Sequence, residues 1–135
     1  MKKILITGSS GFIGRNLKEK LPPKDQLFTP SHKQLDLLKE NKVEKYINDN
    51  NIKYIIHTAK VGGLRGRDNK ETFFKNLQMF FSITKAEKLV NRIIYFGSGA
   101  EFDKNRPLKN VCENDFDEKM FSHLKENNLI QYLEW

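Results

Sequence analysis

The sequence holds a single cysteine, Cys112, in 135 residues. An intramolecular disulfide is excluded, and a cysteine-based zinc cluster is disfavoured. Prolines number four, and no Pro-, Gly- or Ser-rich stretch reads as a linker. No apolar run approaches the roughly 18 residues that a membrane span requires. The start, MKKILITGSSGFIG, has the lysines of a secretory leader, but glycine and serine interrupt its apolar stretch at once. No internal repeat and no block of five or six basic residues occurs. These absences lead us to expect a cytoplasmic protein with neither a membrane nor a nucleic-acid partner.

What is present fits one domain. Hydrophobic residues make up 38%, and a chain of this length can bury roughly two-thirds of its unfolded surface. Lysine and arginine total 24 against 17 acidic residues, a net charge of +7. That balance suits either a phosphorylated or nucleic-acid partner or lysine-rich solvated helix faces. The even spread of the lysines favours the second.

Apolar runs and helical spacings alternate along the chain. Residues 3–7 (KILIT) read as a buried strand stopped by Gly8. Phe12, Ile13, Leu17 and Leu21 follow a helical spacing, closed by Pro22 and Pro23. A weaker strand spans 26–29, and Asp36 is placed to cap a helix running to about Asn50. Residues 54–57 (YIIH) form the next strand, and a loop with Gly62, Gly63 and Gly66 follows. Phe73, Leu77, Phe80, Phe81 and Thr84 predict a long amphipathic helix with those residues on its inner face. Core packing outweighs an aromatic ligand box at that spacing. Residues 92–96 (RIIYF) are the last clear strand, ended by Gly97, Ser98 and Gly99. Such alternation implies right-handed crossovers and a doubly wound parallel sheet with helices on both faces.

The strongest chemical signal lies between the first strand and the first helix. Gly8, Gly11 and Gly14 form Gly-x-x-Gly-x-x-Gly, a spacing variant of the dinucleotide fingerprint. The first glycine permits a tight turn and the second lets a pyrophosphate approach the backbone. The third allows close packing of helix on sheet. The helix start offers unpaired N–H groups and a positive dipole end. An acidic residue usually meets the adenine ribose about 20 residues further on. Here 28–33 (FTPSHK) contains none, while Ser31, His32, Lys33 and Arg15 could accept a 2′-phosphate. NADP is therefore expected over NAD, with an ordinary solvated loop as the plainer reading of His32 and Lys33.

In these motifs the sequence resembles the extended short-chain dehydrogenase/reductase family, the nucleotide-sugar epimerases, dehydratases and reductases. Asp36-Leu37 looks like the family's pair beside the adenine, its plainer reading being the helix cap. His57-Thr58-Ala59 falls where the family has a cofactor-lining turn, and the run 59–63 (AKVGG) is similar to that of the GDP-fucose synthases. Phe96-Gly97-Ser98-Gly99 matches the segment that presents the catalytic serine, and Asn76 a common family asparagine, otherwise a helix-surface residue. The resemblance implies a pyrophosphate over Gly8, Ser10, Gly11, Phe12, Ile13 and Gly14, with Ala59 and Lys60 lining the ribose and nicotinamide side. Ser98 would then bond the reacting sugar oxygen; a small residue in a tight loop is its alternative. The implied fold is an incomplete Rossmann-like sheet over residues 1–117, with 118–135 a marginal helical tail unlike the family. A nucleotide-diphosphate sugar substrate and a homodimer are implied too.

One family feature is missing. No Tyr-x-x-x-Lys occurs: Tyr46, Tyr54 and Tyr95 are followed four residues later by Asn50, Thr58 and Gly99, and Tyr132 by no residue of this sequence. The expectation is a cofactor-binding half that does not turn over by itself, or else a binding or interaction module.

Overall fold

The computed structural model describes residues 1–62 and 69–96. The chain divides into two compact units, of which the first is Met1–Val61 with Phe74–Phe96. Elements run β1 (Lys3–Thr7), α1 (Phe12–Lys20), β2 (Gln26–Phe28), α2 (Glu40–Asn50), β3 (Tyr54–His57), α3 (Lys70–Thr84) and β4 (Arg92–Tyr95). A 3-10 segment, Lys85–Leu89, continues α3. The strands form one parallel sheet in the order β2-β1-β3-β4.

Strand β1 is central because it is apolar on both sides. Ile4 and Ile6 join Ile56, Leu17 and Leu21 under α1. On the opposite face Leu5 packs with Ile55, with Val43 and Ile47 of α2, and with Met79 and Ile83 of α3. Helices thus cover both faces of β1 and β3, the Rossmann-like arrangement expected from the alternation. Coverage thins at β4, where Ile93 joins the α2/α3 core while Ile94 and Tyr95 are exposed.

Helix ends obey local chemistry. The chain leaves α1 at Leu21, which is extended as the residue before Pro22 must be. Helix α2 ends at Asn51 in the left-handed conformation, with its N–H bonded back to Ile47 and Asn48 carbonyls.

Two expectations need correction. Asp36 does not cap α2, whose flanking residue is Lys39. The Asp36 carboxylate instead accepts the Leu38 N–H at 3.0 Å and its carbonyl accepts the Lys39 N–H, closing a turn ahead of the helix. Burial of both Leu35 and Leu37 holds this segment against the core and delays the helix.

The inner face of α3 is also rotated from the expected one. Met79, Ser82 and Ile83 are buried, while Phe81 is 50% and Phe74 61% exposed. Phe73, Leu77, Phe80 and Thr84 are only half-buried. Met79, Ser82, Ile83 and Ala86 make their own i, i+3, i+4, i+7 stripe. Ser82 and Ala86 thus take inner positions where the pattern led one to expect phenylalanines. Smaller differences occur at strand ends, with β2 closing at Phe28 and β4 at Tyr95.

Candidate functional site

The chain leaves β1 for β2 on one side, then returns to place β3 on the other. The crevice at such a reversal, outside the carboxyl ends of the strands, is where open α/β sheets bind ligands. Two loops leave those ends side by side: the glycine-rich turn after Thr7 and the turn after His57.

Gly8 reverses the chain at φ +67°, a conformation side chains rarely adopt. The Gly11 N–H donates to the Gly8 carbonyl at 3.0 Å, and α1 begins at Phe12 without a side-chain cap. A Cβ on Gly8 would stand 2.6 Å from the Ala59 backbone, and one on Gly14 2.4 Å from the Gly8 carbonyl oxygen. Both glycines are required by packing. The close approach at Gly14 is to the turn's own backbone, rather than to the sheet as anticipated.

Gly11 differs. Its φ of −72° suits any residue, and among the described residues its Cβ would meet only the Gly8 oxygen, in a tight contact of 3.3 Å. Apart from that oxygen no described residue crowds Gly11, which stands next to a helix start whose first-turn N–H groups have no side-chain acceptor. A phosphate fits that combination of free donors, dipole and open backbone.

Beside the loop lies a cleft of about 390 Å³ across the carboxyl ends of β2, β1 and β3. Of the residues singled out in the sequence, Gly8, Ser10, Asp36, Leu37, Ala59 and Lys60 line it. Gly11, Phe12, Ile13 and Gly14 form the helix start; the Phe12 side chain is 78% exposed, so the contribution expected there is from backbone. Ser98 lies outside the described residues, as do Gly63, Gly66, Gly97, Gly99 and the segment 118–135.

The wall beyond β2 holds Ser31 and His32. It also holds the carboxylate of Asp36, 3.7 Å from His32 Nε2, which sequence distance alone had set apart from β2. Lys33 and Arg15 are exposed. The Ser31 hydroxyl and N–H both donate to Gln34 Oε1, at 2.9 and 2.8 Å, which shapes the wall.

Across the cleft, Asn76 has a role its helical position concealed. Its Oδ1 accepts the Val61 N–H and its Nδ2 donates to the Val61 carbonyl, each at 2.9 Å. One side-chain amide thus clamps both polar groups of a single backbone residue in the turn that carries Ala59 and Lys60. Asn76→Ala should cost about 1–2 kcal/mol from two lost hydrogen bonds. Hydrogen exchange should show faster exchange at Val61 than at Ile55; equal acceleration at both would refute a local clamp.

Thr7 and His57 also line or underlie this region and were not separated as a pair by sequence reasoning. They are buried at 2% and 3% exposure, with Thr7 Oγ1 2.7 Å from His57 Nδ1. Burial pushes the imidazole pKa down from 6.5 to about 4. Among the described residues no group of three metal-ligating side chains occurs, and no helix is long and apolar enough to cross a membrane.

Parallel sheet, reversal at β1 and glycine turn together define a Rossmann-like domain. The chain belongs to the NAD dependent epimerase/dehydratase family, whose model matches residues 4–124. It is 34% identical over 109 residues to a GDP-L-colitose synthase from Yersinia pseudotuberculosis, a match covering 76% of this chain and 35% of that one. A GDP-mannoheptose C4 reductase from Campylobacter jejuni, solved with NADP bound, has a TM-score of 0.72 at 26% identity. That match covers 85% of this chain and 35% of the other. A GDP-6-OMe-4-keto-L-xylo-heptose reductase from C. jejuni gives a TM-score of 0.74 at 25% identity, over 87% and 35%. The chain thus spans about a third of the length of these relatives.

Proposed function

We propose that this chain is the NADP(H)-binding part of a nucleotide-sugar epimerase, dehydratase or reductase. The observation that carries the reading is the open backbone at Gly11, beside an uncapped helix start and above a cleft of ligand size. In this reading the N–H groups of the first turn of α1 hold the pyrophosphate, and Gly8, Ser10 and Gly11 shape the loop beneath it. Asp36 and Leu37 line the adenine side, with His32 on the same wall to meet a 2′-phosphate and Ser31 held against Gln34. Ala59 and Lys60 line the ribose and nicotinamide side. A bound nicotinamide supplies hydride exchange at a sugar carbon, and Ser98 would hydrogen-bond the reacting oxygen.

The relatives with GDP-sugar names support a nucleotide-diphosphate sugar as the substrate class; residues 1–117 as the cofactor domain are part of the same reading. A homodimer and a cytoplasmic location belong to the same proposal. A second reading, a dinucleotide-binding or interaction module without turnover, is favoured by the absence of Tyr-x-x-x-Lys from the sequence. In either case the chain is expected to bind rather than to turn over alone.

Thermal unfolding with NADPH and with NADH tests this. Ligand at a hundred times its Kd should stabilise the chain by about 2.7 kcal/mol. NADPH should raise the midpoint more than NADH at equal concentration. A larger shift with NADH would reverse the cofactor preference, and no shift with either would overturn dinucleotide binding.

A further inference from the structure

We infer that Thr7 and His57 act as a positioning pair, holding the turn after β3 and the glycine turn in their binding geometry before ligand arrives. The ligand's identity rests on the dinucleotide reading; the geometry does not.

The two residues are register partners at the carboxyl ends of β1 and β3. Every other pair in that register is aliphatic or aromatic: Ile4 with Tyr54, Leu5 with Ile55, Ile6 with Ile56. A hydroxyl and an imidazole at the next position cost desolvation that an aliphatic pair would avoid, and their mutual bond offsets it. Such a pair calls for a reason beyond the core.

The direction of the hydrogen bonds supplies one. The Ala59 N–H donates to Thr7 Oγ1, a long contact of 3.4 Å. With that oxygen accepting there, the Thr7 proton is available to His57 Nδ1 at 2.7 Å. A Thr7 proton given to Nδ1 goes with His57 as the neutral Nε2–H tautomer. Thr58 adds two bonds to the Thr7 carbonyl, from its N–H at 3.2 Å and its hydroxyl at 2.7 Å. Ala59 in turn sits so close to Gly8 that a Cβ there would approach within 2.6 Å. Fixing Ala59 therefore fixes Gly8, whose carbonyl takes the Gly11 N–H. The imidazole also stacks on Tyr95 at the end of β4, with ring centroids 5.5 Å apart and planes 18° off parallel. One buried pair thereby ties the carboxyl ends of three strands to the loop read as the phosphate site. A site organised in advance binds with less ordering cost.

The test uses the full chain in two arms. Nitrogen NMR of the free protein should show His57 with Nδ1 unprotonated. Hydrogen exchange at Ala59 and Gly8 should accelerate about tenfold in Thr7→Val, with Leu5 in mid-strand little changed. In the second arm, Thr7→Val and His57→Phe should weaken NADPH binding about tenfold, the scale of one lost buried hydrogen bond. Thr7→Ser, which keeps the hydroxyl, and His57→Asn, which keeps an acceptor, should restore most of it. An Nδ1–H tautomer, unchanged exchange at Ala59, or uniform acceleration across the sheet would overturn the positioning role. Wild-type affinity in Thr7→Val would do the same. Failure of the wild-type chain to bind NADPH would count against the dinucleotide reading alone, because the exchange and tautomer results judge the pair without ligand.

Discussion

Gly14→Ala is expected to destabilise the domain by about 3 kcal/mol or more, although alanine is the better helix former. The gain in helix propensity is about 1 kcal/mol. Against it, the new Cβ would lie 2.4 Å from the Gly8 carbonyl oxygen and 2.6 Å from Ser9 Cα, both backbone atoms that no rotamer change can move. Gly11→Val is expected to behave in the opposite way. Its Cβ meets only one atom, at 3.3 Å, so stability should change by no more than about 1 kcal/mol. NADPH affinity should fall about a hundredfold or more, because a branched side chain fills the space kept open beside the helix N-terminus. Urea midpoints and binding titrations on the two variants separate the effects. Equal stability loss in both, or normal binding by Gly11→Val, would refute this division of labour.

The second large effect concerns acid. Burial lowers the His57 pKa to about 4 from 6.5, so the folded state prefers the neutral ring. Between those values the unfolded chain binds the proton more readily than the folded one, and stability rises with pH. The contribution is complete above pH 6.5 and is lost as pH falls towards 4. It amounts to roughly 3 kcal/mol across that window. Denaturant unfolding at several pH values between 4 and 7 should give a steep slope for the wild type. His57→Asn should lack that component, since carboxylates contribute alike to both proteins. Parallel slopes for the two would exclude His57 as the source. Protonating Nδ1 would also remove the acceptor of the Thr7 hydroxyl, so affinity for NADPH should decline in the same window.

Features governed by neighbours in the chain were legible beforehand. KILIT announced a strand buried on both faces because Ile4, Leu5 and Ile6 are apolar in succession, without polar alternation. Gly8 announced its turn, and the strand–turn–helix order showed where a helix start would stand uncapped. Features governed by partners far along the chain were not. Asp36 has the chemistry of a helix cap, yet burial of Leu35 and Leu37 makes it close a turn and line a cleft. The phenylalanines of α3 dominate its hydrophobic pattern, but the stripe that packs inward is the one whose Met79 and Ile83 join the core with Val43 and Ile47 of α2. Asn76 looked like a surface residue because the group it clamps, Val61, lies fifteen positions earlier.

The sequence by itself determined that this chain alternates strands and helices, that its sheet is parallel, and that a glycine turn opens the first helix. Periodicity and backbone freedom are local properties, readable without coordinates. Only the tertiary structure decided why each glycine is there. Gly8 and Gly14 answer to backbone that packing brings within clash distance, whereas at Gly11 the described residues offer a Cβ one contact, the Gly8 oxygen at 3.3 Å. Only the fold, too, brought Thr7 and His57 together across fifty residues. Contacts of that kind depend on strand order and register, which no single segment encodes.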